Sequence, residues 1–346
     1  MRLLSGRAGA AVLVAVAVGL AAGGIAYAAI PAAATPRPLK VGFLEGARLR
    51  AAPGIQRDTY EGFVHAVKAF GLHGSVRDVG LRDSMIDAVA YFVRQKYDLV
   101  VVATATFAPP IDRLMAPIVT RFPNARFLLP DMTPELVPKS WKNVRAFGFR
   151  VEEAAYLAGY LGALVEEERP GRHVVSSVGG LPVPQVDPFI AGFQAGAHRA
   201  DPRITALNDY SYDFLVPRKC RAVALGQIAR GSGVVFNVAG ACGLGALQAA
   251  KARHIWGIGV DVDESFLGPH ILTSVLKHTG RALYVELSRF AHSRLFTTGF
   301  TWFGVRDQAV GLGKISPRVP KALLQKLTTI ETLIARGQIH APAQIS

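Results

Sequence analysis

The chain has 346 residues, of which 50% are apolar and 18% are charged. This balance excludes an intrinsically disordered chain, and the length is enough for two domains of ordinary size. The formal net charge is +14, but the positive charges are scattered in pairs such as Arg48/Arg50 and Lys219/Arg221. Because they form no basic stripe interleaved with aromatic residues, we expect no nucleic acid among the partners.

An export segment is predicted at the N-terminus. Arg2 and Arg7 precede a stretch without charge from Ala8 to Pro36, which contains the small-residue site Ala26-Tyr27-Ala28. This pattern is typical of a secretory signal, and the apolar run is also long enough for a membrane anchor. We expect residues 1–37 to be a signal peptide, or an uncleaved anchor that contacts the membrane, followed by a linker. The remainder would be extracytoplasmic (secreted, periplasmic or at the cell surface), and the lack of cysteine in the segment predicts that the protein is not a lipoprotein.

Beyond this segment, apolar runs alternate with stretches of helical period. The predicted buried strands are 39–44, 98–104, 125–131, 144–149, 172–180, 232–240 and 254–261. The clearest predicted helices are 59–70, 84–96 and 151–168. The alternation indicates an α/β protein with parallel sheets covered on both faces. Two sheets fit better than one, because a single core stops growing near about 250–300 residues.

Several predicted strands end in small or polar residues, namely Thr104 to Thr106, Asp131, Gly179-Gly180, Gly240 and Asp261. Ligands of open α/β sheets bind at the carboxyl ends of the strands. If two sheets face each other, these ends meet in one cleft. This is the geometry of a hinged protein that closes on its ligand.

The chain contains two cysteines, Cys220 and Cys242. In an oxidising compartment they can form a disulfide, which would stabilise the fold by roughly 3 kcal/mol in the chain-entropy model. The alternative is a pair of buried free thiols.

Four segments, in matching order, resemble the basic membrane protein (BMP) family. They are 149–164, 178–204, 234–251 and 258–283. The family consists of extracytoplasmic substrate-binding proteins of ABC transporters and includes the purine-nucleoside receptor (PnrA-like) type. The resemblance implies an α/β type I periplasmic-binding-protein fold, with two Rossmann-like lobes, a three-crossover hinge and a ligand cleft between the lobes. The first lobe would comprise 38–148 and 262–296, and the second 149–261 and 297–346.

The resemblance implies ligand contacts for Asp261 and Lys277. In the family, the aspartate that ends the Gly-Val-Asp strand holds ribose hydroxyls, and the lysine after Leu-Thr-Ser helps to fix the nucleoside. A carboxylate accepts hydrogen bonds from two vicinal hydroxyls, and such charge-assisted bonds are strong. The alternative is an Asp–Lys pair that only ties one lobe together.

Three further positions match family residues, each with a structural alternative. Phe236 matches an aromatic residue that stacks on the base, or it is a core phenylalanine. Gly240 opens a loop of small residues that lets backbone approach a ligand, or it forms a tight turn. Asp131 can reach a base edge, or it caps the next helix. Phe214 aligns with a surface turn, and we expect it outside the pocket.

The sequence departs from the nucleoside-type pattern after the first strand. Ile55 and Gln56 replace the family's Phe and Asn, and Gly46 stands where the family has Asp, with Glu45 beside it. Losing one aromatic face removes about 1–3 kcal/mol of base stacking. We therefore expect ribose contacts to be kept, Glu45 to be a candidate ligand residue and base recognition to differ.

Other functions share parts of this pattern. A ligand-sensing ectodomain without transport would have the same lobes and cleft. Asp261 and Asp263, followed by Thr273, Ser274 and Lys277, superficially resemble an aspartate-based phosphatase, but the lysine follows Asp261 too closely for the intervening elements of such an enzyme. A transcriptional repressor of the same fold would carry a helix-turn-helix where this chain has an export signal.

The sequence therefore predicts a binding protein rather than an enzyme, with no metal and no cofactor. We expect a monomer that captures a small polar solute, best matched by a nucleoside or a related ribosylated compound. It would deliver this small-molecule ligand to an ABC permease that works with a separate ATPase, because the chain carries no Walker loop of its own.

Overall fold

The computed structural model describes residues 37–46, 54–79, 84–103, 111–171 and 173–345. The predicted signal or anchor and the polar strand end from Thr104 to Thr106 lie outside these residues. The compact folded unit begins at Pro38. Among the described helices, none is long and apolar enough to cross a bilayer.

Twelve strands form in the described part of the chain. They are β1 (Lys40–Gly46), β2 (His73–Val79), β3 (Leu99–Ala103), β4 (Phe127–Leu129), β5 (Val144–Phe149), β6 (Val174–Gly179), β7 (Thr205–Tyr210), β8 (Val234–Val238), β9 (Trp256–Asp261), β10 (Ile271–Lys277), β11 (Gly299–Phe303) and β12 (Val310–Leu312).

The same described residues form nine α-helices, eight of them between strands and the ninth after the last strand. They are α1 (Ile55–Ala69), α2 (Met85–Arg94), α3 (Ile111–Arg121), α4 (Val151–Glu167), α5 (Asp187–Ala200), α6 (Pro217–Ala229), α7 (Gly240–Ala252), α8 (Thr279–Ser293) and α9 (Lys321–Ala335). The seven strands and three helices predicted from apolar patterning are all present, with ends shifted by a few residues.

The strands pair into two six-stranded sheets. The first has the order β11-β5-β4-β3-β1-β2 and the second the order β12-β10-β9-β8-β6-β7. All pairs are parallel except β10 with β12. The central strands are buried on both faces, as β3, β6 and β8 show. This covering of both faces by helices is the arrangement that long apolar runs require.

The chain crosses between the sheets three times. It crosses at Arg150, between β5 and α4, and at His278, between β10 and α8, and again between β11 and β12. The helix α8 packs on α1 beside the first sheet, where Gly280 N donates to Asp58 Oδ2 at 2.7 Å. Neighbouring crossovers are tied by backbone hydrogen bonds, such as His278 N to Ala309 O at 2.8 Å. The predicted three-crossover hinge is therefore present.

The strand pairing corrects the predicted lobe limits at two strands. We assigned 262–296 to the first lobe, but β10 pairs with β9 in the second sheet. We assigned 297–346 to the second lobe, but β11 pairs with β5 in the first sheet. The chain leaves the second sheet only at His278, after β10 has completed its pairing, and returns only after β11. The remaining lobe limits stay a prediction.

Candidate functional site

A cavity of about 440 Å³ opens between the carboxyl ends of the two sheets. Its lining from the first lobe includes Asp131, Met132, Phe149 and Trp302. Its lining from the second lobe includes Phe189, Phe214, Val238, Gly240, Asp261 and Lys277. The convergence of strand ends that the sequence predicted is therefore observed for Asp131, Gly240 and Asp261.

Three charged side chains meet inside this cavity. Lys277 Nζ lies 3.0 Å from Asp131 Oδ2 and 3.4 Å from Asp261 Oδ1. It also lies 5.9 Å from the centre of the Phe189 ring, within reach of a cation–π interaction. Asp131 follows β4 of the first sheet, whereas Asp261 and Lys277 end β9 and β10 of the second. The charged cluster therefore joins the two lobes across the cleft.

Both aspartates leave their strands through left-handed backbone. The φ angle is +57° at Asp131 and +67° at Asp261. Among residues other than glycine, aspartate and asparagine adopt this region most readily, so an aspartate is a favourable residue at both positions. Such conformations concentrate at ligand sites, where the surrounding structure holds them in place.

Burial and charge act in opposite directions on this cluster. Burial raises the pKa of Asp261, and Asp131 adds to that effect, while the Lys277 ammonium opposes it. Burial alone would lower the pKa of Lys277, but the carboxylates of Asp131 and Asp261 outweigh it and raise that pKa. Lys277 is therefore a permanent cation at neutral pH. The carboxyl oxygens of Asp131 and Asp261 make the cluster rich in hydrogen-bond acceptors, so it is suited to a ligand that brings hydrogen-bond donors.

Arg150 and Glu152 add two ionisable groups to the cavity wall, at the start of α4. Burial raises the pKa of Glu152 to about 7, and the neighbouring Glu153 contributes in the same direction. Glu153 itself turns away from the ligand space, because its Oε2 accepts a hydrogen bond from Val305 N at 2.8 Å. It thereby ties the start of α4 to the crossover after β11.

Phe214 lines the cavity, contrary to our expectation that it lies outside the pocket. Its loop is fixed by Asp213, whose Oδ1 accepts hydrogen bonds from Leu215 N at 2.7 Å and Val216 N at 2.9 Å. The ring packs over Gly180, where a Cβ atom would overlap it. The loop follows β7, so it necessarily emerges at the carboxyl edge of the sheet. That placement is the signal that sequence reasoning missed, because the edge strand β7 was not predicted.

Phe236 does not reach the cavity and is a core residue. Its side chain is fully buried, and its ring centre lies 5.2 Å from that of Phe193. The strand β8 continues for two residues beyond it, and Val238, on the same face, lines the cavity instead. Two residues of strand place Phe236 roughly 6–7 Å below the cavity floor. The structure therefore places Phe236 in the core and not among the described residues that line the cavity.

Glu45 is buried within β1 and is not among the described residues that line the cavity. The loop that follows it, 47–53, lies outside the described residues. The ligand role of Glu45 therefore stays a prediction. Ile55 and Gln56, at the start of α1, are also absent from the described lining.

Cys220 and Cys242 form a disulfide, with Cα atoms 5.6 Å apart. It joins the first turns of α6 and α7, which begin next to two stretches of the cavity wall, Phe214-Leu215 and Gly240-Ala241. Cys242 N donates to Phe214 O at 2.9 Å, so the disulfide and the aromatic loop are directly connected.

A second cavity of about 590 Å³ lies at the opposite end of the first lobe, beside α8. Its buried charges are already satisfied: Arg145 pairs with Glu286 and donates to Thr297 and Thr301, and Arg289 also pairs with Glu286. These ion pairs form a structural network beside the cavity. Within the described ranges, no cluster of three or more histidine, cysteine or acidic side chains is arranged for a metal ion.

Two α/β lobes, three crossovers and a charged cavity between the carboxyl ends of the sheets define a type I periplasmic-binding-protein fold. Residues 53–344 match the model of the family described as ABC transporter substrate-binding protein PnrA-like. The chain belongs to this family.

Curated relatives agree with this family. Basic membrane protein B of Borrelia garinii subsp. bavariensis is 33% identical over 206 residues, 58% of each chain. Basic membrane protein A of Borreliella afzelii is 29% identical over 205 residues, 58% of this chain and 62% of the relative. The matched segment thus spans less than two thirds of these relatives.

Solved structures share the fold at low identity. An ABC transporter solute-binding protein from Aeropyrum pernix K1 is 18% identical with a TM-score of 0.68, covering 88% of this chain and 94% of that chain. A protein described as a transcriptional activator of the comK gene from Bacillus halodurans is 20% identical with a TM-score of 0.70. The match covers 87% of this chain and 99% of that chain. A solute-binding protein from Conexibacter woesei is 22% identical with a TM-score of 0.64. The match covers 89% of this chain and 100% of that chain.

Proposed function

We propose that this protein is the extracytoplasmic solute-binding component of an ABC importer and that its ligand is a nucleoside or a related ribosylated compound. The observation that carries the proposal is the Asp131–Lys277–Asp261 cluster in the cavity between the lobes. The protein binds and releases its ligand unchanged.

The cavity chemistry fits a ligand with one polar and one apolar end. Asp261 offers two carboxylate oxygens to vicinal hydroxyls, and Lys277 offers a donor at the same place. Apolar side chains such as Phe149, Val238 and Phe214 form much of the remaining wall. A ribose fits the charged end and a flat, weakly polar base fits the apolar wall.

The cavity volume also agrees with a small solute. At about 440 Å³ it lies within the roughly 300–1,000 Å³ range of small-molecule sites. A macromolecular ligand would not fit between the lobes. The permease and a separate ATPase would supply the energy and the membrane passage, because this chain carries no nucleotide-hydrolysing loop.

The experiment is a thermal-shift screen of the full chain, purified in mild detergent, against nucleosides, free sugars and short-chain acids. A ligand that binds only the folded state raises the unfolding temperature, by an amount that grows with its concentration above Kd. We expect nucleosides to give the largest shift. A shift only with sugars or acids would overturn the nucleoside assignment while leaving solute binding intact.

A further inference from the structure

Trp302 is a half-exposed indole that faces the ligand space from the first lobe. It lies on β11, the edge strand of the first sheet, and lines the cavity with 41% of its surface accessible. Exposure of this size at a cavity-lining position leaves part of the indole open to a molecule in the cavity.

The protein holds this indole in a defined position. Trp302 pairs with Gly148 on β5, and a Cβ atom at Gly148 would lie 3.1 Å from Trp302 Cζ3 and would overlap the Met132 carbonyl. The absent side chain at Gly148 therefore lets the indole approach the segment immediately after Asp131. The Phe300 ring supports it, with ring centres 4.9 Å apart. The indole is thus positioned beside the charged cluster.

The other aromatic walls of the cavity leave few rings accessible. Phe149 and Phe189 are only 6% and 3% exposed, so little of either ring is open to a ligand. Phe214, from the second lobe, is half-buried and also lines the cavity. Among the described aromatic residues of the lining, Trp302 and Phe214 are therefore the two that are not fully buried, one from each lobe.

We propose that Trp302 is a specificity-determining residue that stacks on a planar ring of the ligand from the first-lobe side, opposite Phe214. This inference rests on the proposed function and deepens it. The preferred ligand therefore carries a flat heteroaromatic ring beyond its hydroxyl-bearing end.

The test compares Trp302→Ala with Trp302→Phe by isothermal titration, using adenosine and free ribose as probes. We expect Trp302→Ala to weaken adenosine binding about tenfold or more, since base stacking on one aromatic ring is of that size. We expect Trp302→Phe to stay within a few-fold of wild type, and ribose binding to be the same in all three proteins. A purely structural role would not separate the base from the sugar.

Fluorescence gives a second measurement that does not depend on how well the alanine variant folds. The chain has three tryptophans, and Trp256 lies under Arg318, 4.4 Å from its guanidinium, outside the cavity lining. We expect adenosine to quench wild-type emission and the quenching to vanish in Trp302→Phe, while titration calorimetry still detects binding. Trp141→Phe is the control and should keep the quenching.

The outcomes separate the two proposals. Adenosine binding by wild type with unchanged affinity in Trp302→Ala, or with quenching retained in Trp302→Phe, overturns the stacking role of Trp302 and leaves the proposed function standing. A wild type that binds no nucleoside overturns the proposed function and the stacking role together.

Discussion

Lys277 Nζ donates to Asp131 Oδ2 at 3.0 Å, from the second lobe to the first. The same nitrogen lies 3.4 Å from Asp261 Oδ1 in its own lobe. A ligand hydroxyl that enters this cluster exchanges a charge-assisted bond between protein groups for one of its own. The ligand affinity therefore depends on the difference in free energy between the bonds within the cluster and the bonds that the cluster makes to the ligand. The same difference favours or opposes closure of the lobes.

Replacing Lys277 by methionine keeps most of the length of the side chain and removes its charge. Two carboxylates would then face each other in a half-buried site without a cation, which costs about 1–3 kcal/mol of unfolding free energy. We expect ligand affinity to fall at least tenfold as well. Urea unfolding and calorimetry measure the two effects. If the variant kept the wild-type unfolding free energy and the wild-type ligand affinity, the conclusion that Lys277 links the two lobes would be contradicted.

Gly180→Ala tests the position of the Phe214 ring. The added methyl group overlaps the ring, so either the ring or the strand must move, and overpacking of this kind costs about 1–3 kcal/mol. We expect nucleoside affinity to fall about tenfold as the ring shifts. Gly226→Ala, within α6, is the matched control. A methyl group at this position meets no atom within 4 Å. The control should keep wild-type affinity, and equal affinities in both variants would contradict a ligand role for Phe214.

The buried carboxyl group of Glu264 is expected to make the unfolding free energy depend on pH. Burial raises its pKa from 4.5 to about 7, although Val260 N and Asn237 donate to its carboxylate. Between these two values the folded state keeps a proton that the unfolded state has released, so stability falls as pH rises from 4.5 to 7. The full effect is on the order of 3 kcal/mol.

The variant Glu264→Gln isolates this contribution. Its amide oxygen can accept the same two hydrogen bonds, and it carries no titrating proton. We expect its unfolding free energy to decline less than that of wild type between pH 4.5 and 7, while any slope from Glu152, whose pKa is also about 7, remains in both proteins. Parallel curves for the two proteins would contradict the buried, protonated state of Glu264.

The disulfide predicts a loss of stability under reducing conditions. Cys220 and Cys242 are 22 residues apart, and opening a loop of this size costs about 3 kcal/mol in the chain-entropy model. We expect Cys220→Ala/Cys242→Ala to lose that amount in urea unfolding, and dithiothreitol to have no further effect on this variant. Wild type that keeps its full stability in dithiothreitol would argue against the bond.

The sequence predicted the interior of the fold better than its edges. The central strands are apolar on both faces, so β1, β3, β6, β8 and β9 are visible as continuous runs. The edge strands β2 and β7 expose part of each face and carry polar residues, as in His73–Val79 and Thr205–Tyr210. Their pairing depends on a neighbouring strand rather than on their own pattern, so it was missed.

The same difference explains the site. Asp131, Gly240 and Asp261 follow buried strands, so the rule that ligands bind at carboxyl ends was enough to place them. Phe214 and Trp302 belong to an edge loop and an edge strand, which single-sequence patterning did not reveal. Phe236 lies on a predicted strand, but its depth below the cavity floor depends on where β8 ends.

The most direct test of the central claim is the affinity of the full chain for adenosine and for 2′,3′-dideoxyadenosine, in wild type and in Asp261→Asn. Asparagine tolerates the positive φ at this position, so the variant removes charge without straining the turn. Asp263→Asn, at an exposed neighbouring residue, is the control and should behave as wild type. We expect wild type to prefer adenosine at least tenfold and Asp261→Asn to lose most of that preference. An equal preference in wild type and Asp261→Asn would contradict a role for this carboxylate in holding ribose hydroxyls.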